Sequence, residues 1–559
     1  VKEDDKVTRW QGDKMTGRVF RHLVTLSPCH LVIFFFLLFF FRLNARDLWS
    51  SHEGRAAENG QMILSRGFWG LPRQCDFQPE WQKPPLYYWL VAGLGWLRGG
   101  VDAAAVRLPS AQAALGTVLA LFLFGWLRGR PTVGLLAALT VASMVHFTWL
   151  ARIGRIDMPL TFAMTVALLG FQLGYDNSLT ATRSWPWYLA SYVAVAAAIL
   201  LKGPVGLILP AGVIGAFILI AQSKPTGGGS WASTHGLPPV GLGERRALWG
   251  AVRTLLWGVP LLLALVGPWF WWVGTRTQGN WYRTFFWYHN FDRALGSGSL
   301  RSHPWWFYGP RLFVDLLPWS ILLPWVAVSA VRRGALRNDS EARFGLVWFA
   351  AIFVALSCAH FKRADYLLPA YPGAALFLAC ELDQWLRARP RWSRPALAGI
   401  LAGYTLSWCV YVEYVLPMAE SAREFRPFAA AIRARAPAPE VVIFFRVECH
   451  ALGFHVGAPI NTILEWENID AWIAKPGTHY IVTSPECAAD WPRYLTKGTL
   501  EFVTTNEELA GVRHEQPLVL MRTRSLPCST PADLVPCPTE ATSSEKTAPH
   551  VRAPGTSAD

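Results

Sequence analysis

Long apolar runs separated by short polar segments organise this chain. Leu31 to Phe41 is an unbroken aliphatic and aromatic run within a largely apolar stretch from Leu23 to Phe41, enough to cross about 30 Å of hydrocarbon. Arg18, Arg21 and His22 precede it, and no small-residue cleavage site follows its core. It reads as an uncleaved anchor whose N-terminal tail, residues 1–22, lies in the cytoplasm. The polar residues before Met15 are either part of that tail or lie upstream of the true start. Further candidate spans run from Val106 to Leu127, Thr132 to Leu150, Met158 to Tyr175, Trp187 to Leu201, Pro204 to Gln222, Leu255 to Val273, Gly309 to Ala330, Leu346 to Ala359, Tyr366 to Leu386 and Leu397 to Met418. With the first they make about eleven.

The segment Pro85 to Trp96 is apolar but about half the length a crossing needs. If it crossed, Arg128 and Arg130 would fall outside and Asp157 inside. Lying in the interface, it leaves those arginines cytoplasmic and puts Asp157 outside with Glu53. The interfacial reading also places Lys224, Arg245 and Arg246, then Arg332, Arg333 and Arg337, then Arg387, Arg389, Arg391 and Arg394 on the cytoplasmic side, as the positive-inside rule expects. Composition agrees with a polytopic membrane protein: of 559 residues 52% are hydrophobic and 16% charged, against about 25% charged in a soluble domain.

After Met418 the pattern changes. Short apolar runs at Val441–Phe445, Tyr480–Val482, Leu500–Val503 and Leu518–Met521 alternate with polar stretches of helical character, which predicts a small α/β domain over 419–524. An odd number of spans after a cytoplasmic start puts it outside. Residues 525–559, rich in Pro, Ser, Thr and Ala, read as a disordered tail, and the Gly-rich stretch Thr226 to Gly243 as a cytoplasmic loop. The nine cysteines show no CxxC and no Cys/His metal spacing. Cys29, Cys358, Cys380 and Cys409 lie in or beside spans and read as small core residues, and Cys449 and Cys487 are a candidate disulfide. No Walker loop and no GxGxxG following a strand is present, which argues against a nucleotide-driven pump, and no nucleic-acid partner is expected.

Charge adds the candidate chemistry. Polar clusters recur at the ends of spans: Ser51-His52-Glu53-Gly54-Arg55, Gln82-Lys83-Pro84-Pro85, Arg152 to Asp157 and His360-Phe361-Lys362-Arg363. Ionisable groups are costly near hydrocarbon, so their recurrence on one face predicts a shared polar site at the membrane surface. Arg55, Lys83, Arg107, Arg152, Arg155, Arg293, Arg301, Lys362 and Arg363 all fall on the outer face, where orientation rules disfavour basic residues, so they need a partner. One is phosphate, which arginine forks and lysine ammonium groups clamp. The other is pairing with Glu58, Asp102 or Asp365, or snorkelling. The net charge of +14 suits contact with anionic lipids on either view.

The ordered pieces Glu53-Gly54-Arg55-Ala56-Ala57-Glu58, Gln82-Lys83-Pro84-Pro85-Leu86-Tyr87-Tyr88-Trp89, Ala105-Val106-Arg107-Leu108-Pro109-Ser110, Arg155-Ile156-Asp157-Met158, Leu201-Lys202-Gly203-Pro204 and Tyr366-Leu367-Leu368-Pro369 resemble the dolichyl-phosphate-mannose protein mannosyltransferase family. The resemblance is greatest to its bacterial branch, the aminoarabinose-lipid A transferases. It implies a GT-C-like α-helical polytopic membrane fold of about 11–13 transmembrane helices, with interfacial helices in the first outer loop, followed by the small extracytoplasmic α/β domain. It also implies a transmembrane glycosyltransferase domain over 23–418 in the bacterial inner membrane. The sugar donor would be a polyprenyl phosphate, undecaprenyl in the bacterial branch, and a lipid, glycan or protein acceptor would be modified at the outer face. Two positions depart from the family: His52 stands where its Asp is expected and Gln82 where a Glu usually precedes the Lys. Glu53, Lys83 and Asp157 match.

Transfer of a sugar from a lipid phosphate to a hydroxyl needs a group to take the acceptor's proton and cations to hold the departing phosphate. Glu53 and Asp157 are the candidate base and its partner, against a salt bridge for Glu53 and a helix N-cap for Asp157. His52 would serve as the base, ligate a metal with Glu53, or, the preferred reading, orient Glu53. Lys83 and Arg55 are candidate phosphate ligands, with Lys202, Lys362 and Arg363 behind them. Gln82, Tyr87, Arg155, His303 and Tyr366 are further candidates. Aromatic residues from Trp281 to Tyr308, including Trp287, Tyr288, Trp305 and Trp306, read mostly as an interfacial belt. No DxD motif occurs in the outer loops, so no divalent metal or other cofactor is expected. The rival readings are a lipid or glycan transporter and a catalytically inactive scaffold.

Overall fold

The computed structural model describes residues 28–180, 182–222, 240–292, 296 and 302–525. The N-terminal tail 1–22, Lys224, most of the loop Thr226 to Gly243, Arg293, Arg301 and the tail beyond 525 lie outside the described residues, as do the side chains of Cys29, Arg245, Arg246 and Tyr288.

The chain is built from α1 (Pro28–Phe39), α2 (Ser51–Arg66), α3 (Leu86–Arg98), α4 (Ala103–Leu127), α5 (Pro131–Ala142), α6 (Val145–Ala151), α7 (Asp157–Leu179), α8 (Trp185–Lys202), α9 (Val205–Gln222) and α10 (Val240–Arg276). There follow α11 (Tyr308–Asp315), α12 (Leu323–Arg332), α13 (Ser340–Cys358), α14 (Tyr371–Ala388), α15 (Pro390–Val410) and α16 (Arg426–Arg435). Among the described residues six helices are long and apolar enough to cross a membrane: α4, α7, α8, the Ala247–Arg276 part of α10, α13, and the run Pro390–Arg435 that begins with α15. The number rises to eight if two bent pairs each count as one span: α5 with α6, bent by 73°, and α11 with Trp319–Arg332, bent by 110°. The sequence expected about eleven. Of the rest, His30–Phe39 and Val205–Ile220 are apolar but shorter. In α14 the polar residues Glu381, Asp383 and Arg387 interrupt the run; Glu381 pairs with Arg333 and Asp383 with Arg387. Helix α7 is central, with 89% of its most apolar window buried, against 11% for α10.

The segment between α1 and α4 carries two short helices. Ser50 caps α2 by accepting from Glu53 N–H at 3.2 Å, and Gly67 ends it at a φ of 74°, a left-handed conformation that glycine adopts without steric cost. Helix α3 has 13 residues, about 20 Å at 1.5 Å per residue, too short to cross. It buries Tyr87, Tyr88, Val91, Ala92 and Gly95 and leaves Trp96 and Leu97 exposed, as an interfacial helix should.

The C-terminal region holds β1 (Val442–Phe445), α17 (His450–Val456), β2 (Ile460–Ile463), α18 (Trp466–Ile473), β3 (Tyr480–Thr483), β4 (Gly498–Thr505) and β5 (Val519–Ser525). The sheet order is β2-β1-β3-β5-β4. β1 lies parallel to β2 and β3, and β5 runs antiparallel to β3 and β4. Alternation in β1 divides the two faces. Val442 and Phe444 join the core shared with the membrane helices, and Ile443 and Phe445 join a second core beneath α18. Cys449 belongs to the first core and Cys487 packs on the second, and both are unpaired thiols. The disulfide expected between them is therefore corrected: the sheet lies between the cores they occupy.

Three arginines near the ends of the membrane helices spend their charge on the scaffold. Arg107 pairs with Glu53 and Arg46 with Glu420, while Arg152 donates to Leu38 O at 3.3 Å and to Phe41 O at 2.5 Å, beyond the last turn of α1.

Candidate active site

Helix α2 presents adjacent residues to different surroundings. Glu53 is fully buried: Oε1 accepts from Arg107 Nε at 2.7 Å and Gly154 N–H at 2.8 Å, and Oε2 from Arg107 Nη2 at 3.0 Å and Trp49 N–H at 3.1 Å. Burial alone would raise its carboxyl pKa; the Arg107 charge and the hydrogen bonds outweigh that and hold it below the ordinary value. In this structure Glu53, expected as the base, is enclosed by these donors and placed as a clamp that joins α2, α4 and the 152–157 turn, with Arg107 orienting it.

His52, half-buried, faces the cations instead. Its surroundings hold its imidazole pKa well below the ordinary value: burial first, then the positive charges of Arg155, Lys83 and Arg363, opposed by Asp157. These groups come from four places in the chain: α2, the Lys-Pro-Pro turn before α3, the start of α7, and the turn after α13. Asp157, the first residue of α7, is 2.5 Å from Lys202 Nζ and 3.4 Å from Arg155 Nε. Its carboxylate answers cations rather than capping its own helix. Lys202, at the last turn of α8, lies 4.2 Å from the Tyr366 ring centroid, a cation–π contact. Next to it Gly203 has a φ of 67°, and a Cβ there would strike Phe285, so the turn that delivers Lys202 requires glycine.

Other expected residues lie elsewhere. Arg55, expected as a phosphate ligand, turns toward the C-terminal region, with Nη2 3.2 Å from Glu448 and 3.1 Å from His450 Nε2, and is not brought together with Lys83 and Lys202. Lys362 is 4% exposed and its ammonium donates to His303 O at 3.0 Å and to Ala359 O. Expected as a phosphate ligand, in this structure it fastens the 302–308 segment to the turn after α13. His303 packs on Phe307 with ring centroids 4.7 Å apart. Tyr87 is buried and donates to Val106 O at 2.9 Å, joining α3 to α4. Gln82 donates its backbone N–H to Glu80 Oε1 at 2.7 Å. Glu80, missed by the sequence reading, is buried and also accepts from Tyr88 O–H at 3.0 Å. Trp281 and Tyr308 of the aromatic loop are buried, while Trp287, Trp305 and Trp306 are exposed.

Among the described residues no group of three or more His, Cys, Asp or Glu side chains is arranged to hold a metal ion. The site is an array of cations around the Asp157 carboxylate and the His52 imidazole, with Asp365 also on Arg155, suited to an anion with two or more charges.

Over 89% of its length the chain superposes on 98% of the crystal structure of ArnT from Cupriavidus metallidurans bound to undecaprenyl phosphate, with a TM-score of 0.71 at 18% identity. The two share one fold. The apo form of the same protein matches at a TM-score of 0.69. The family model described as dolichyl-phosphate-mannose-protein mannosyltransferase matches residues 82–236, from the Lys-Pro-Pro turn through α8 and α9. Two similar curated proteins are both named undecaprenyl phosphate-alpha-4-amino-4-deoxy-L-arabinose arabinosyl transferase. The one from Pectobacterium carotovorum strain PC1 is 29% identical over 68% of this chain and 64% of its own length. The one from Pseudomonas paraeruginosa strain PA7 is 30% identical over 64% of this chain and 60% of its own length. The chain thus covers less than two thirds of these relatives.

Proposed function

We propose that this multi-pass membrane protein is a glycosyltransferase that moves a sugar from a polyprenyl phosphate, undecaprenyl phosphate being the first choice, to a lipid, glycan or protein hydroxyl. The observation that carries the reading is the convergence of Lys83, Arg155, Lys202 and Arg363 on His52 and Asp157. In the reaction the acceptor oxygen attacks the anomeric carbon, its bond to the phosphate oxygen breaks, and the polyprenyl phosphate leaves with the bonding pair. The cations take up the charge that develops on the leaving phosphate, so no acid need protonate it. His52, neutral at physiological pH, takes the acceptor's proton. Asp157 holds Lys202 and Arg155 apart and in place.

The same reading divides the chain into a cytoplasmic tail to residue 22, a transmembrane glycosyltransferase domain over 23–418, an α/β domain over 419–524 and a tail beyond. It places site and α/β domain on the outer face of a bacterial inner membrane. The test is transfer of radiolabelled sugar in membranes supplied with undecaprenyl-phosphate sugars, with wild type beside Asp157→Asn and Lys83→Ala at equal abundance. Label reaching an extractable acceptor with wild type and falling at least about a hundredfold in the variants supports the reading. No transfer from any of several donors would shift it to a transporter or scaffold.

A further inference from the structure

The two bent pairs meet at their breaks. Val145 N–H, at the start of α6, donates to Leu317 O at 3.0 Å, and Trp319 Nε1 donates to Ser143 Oγ at 2.9 Å. Each break meets polar groups of the other, as irregular backbone in a membrane fold requires. Beside this junction lies a buried polar chain that the proposed chemistry does not use. His146 Nδ1 is 3.0 Å from Tyr371 Oη and 3.4 Å from Asp315 Oδ2, and Tyr371 O–H donates to Asp315 at 3.1 Å. His146 Nε2 is 3.2 Å from Asp365 Oδ1. The other oxygen of Asp365 is 2.6 Å from Arg155 Nη1, and Arg155 Nε reaches Asp157. Ionisable groups buried this way are costly unless each is paired. At one end the chain closes on Arg311, whose Nε is 3.3 Å from Asp315 Oδ2, and at the other it ends on a guanidinium of the site.

We propose that His146 and Asp365 are positioning residues that fix the Arg155 guanidinium for the donor's phosphate. Asp365 takes one edge of the fork and Asp157 the Nε corner. A guanidinium has five N–H donors, more than these two contacts use, and the remaining edge meets the anion. His146 spans Asp315 and Asp365 with its two nitrogens and so sets where Asp365 stands. The break between α5 and α6 turns His146 out of the line of α5 into this position, which gives the bend a function. The inference rests on the transferase reading.

The test measures undecaprenyl phosphate affinity and donor kinetics on the purified full chain, for wild type, His146→Ala, Asp365→Asn, Arg155→Ala and the His146→Ala/Arg155→Ala double variant. His146→Ala and Asp365→Asn are each expected to raise the Kd for undecaprenyl phosphate and the donor KM about tenfold or more, with acceptor KM unchanged. The double variant should bind no more weakly than Arg155→Ala, since both changes remove the same contact. Additive losses, or a lowered melting temperature with donor KM unchanged, would overturn the inference. If His146→Ala does not fold, the isosteric Asp365→Asn carries the test alone. Failure of wild type to bind undecaprenyl phosphate overturns the transferase reading together with this inference; binding that is unchanged in both variants overturns the inference only.

Discussion

His52 and Glu53 are neighbours in sequence to which the proposed mechanism gives separate tasks. Glu53→Gln leaves Arg107 buried without its counter-charge, a change that costs about 3–5 kcal/mol when one partner of a buried pair is removed. The expected outcome is a marked loss of folded protein on thermal unfolding, with transfer per folded molecule little changed. The pH dependence has a definite sign. The Glu53 carboxyl is held below its ordinary 4.5 in the fold, so its stabilisation is complete above that value and is lost as pH falls through the folded-state pKa. Wild type should lose stability on acidification below about pH 4.5, and Glu53→Gln should lose less, measured by denaturation from pH 7 to 3. His52→Ala should instead lower turnover about 10²–10⁴-fold with the fold intact. With the His52 imidazole pKa held well below 6.5, the base stays deprotonated on mild acidification, so transfer should remain level from pH 8 to below 6.5. A fall centred at 6.5 would remove His52 from that role. The sequence marked the cluster 51–55 but not the division of labour within it. Glu53's partner, Arg107, stands 54 positions away, and only the packing of α2 on α4 shows which of two adjacent side chains faces the core.

At the scale of elements, α2 is fixed from both ends of the chain. A Cβ at Gly54 would lie 2.4 Å from Ala451 N, so α17 of the C-terminal region packs directly on the helix that carries His52. One turn further along the same face of α2, Glu58 meets His450 Nδ1 at 2.8 Å. Gly54→Ala should push α17 away at a cost of about 1–3 kcal/mol, read as faster proteolysis between α15 and β1, with a fall in transfer only if this docking aligns His52. The apolar pattern located most spans because each is a long run between polar ends, and short length together with the placing of the basic residues identified α3 as interfacial. The breaks in Thr132–Leu150 and Gly309–Ala330 were not legible: at Ser143-Met144 the hydrophobic pattern continues across the bend, and it is the contact with Leu317 that stabilises it. Strand β2, Ile460–Ile463, was also missed, because its burial is confined to its two ends and it lacks the apolar run that marked β1.

For the whole molecule, the membrane helices and one face of the C-terminal sheet form one core, with the candidate site beside their junction. The proposed orientation puts the exposed Trp305 outside and the exposed Arg389 inside. In intact cells a membrane-impermeant maleimide should therefore label Trp305→Cys above the wild-type background and not Arg389→Cys, and the reverse would invert the topology. The cation array was readable as a set of segment ends with a shared chemistry. Which cations serve the site and which serve the scaffold was not, because Arg55 and Lys362 differ from Lys83 and Lys202 only in the direction their folded segments take. The most direct test of the central claim is product balance with purified protein, a labelled undecaprenyl-phosphate sugar and an envelope-lipid extract. The account predicts one undecaprenyl phosphate released for each sugar transferred to acceptor, with both lost in Asp157→Asn. Donor that is bound but never cleaved, or cleavage that Asp157→Asn leaves unchanged, would contradict it.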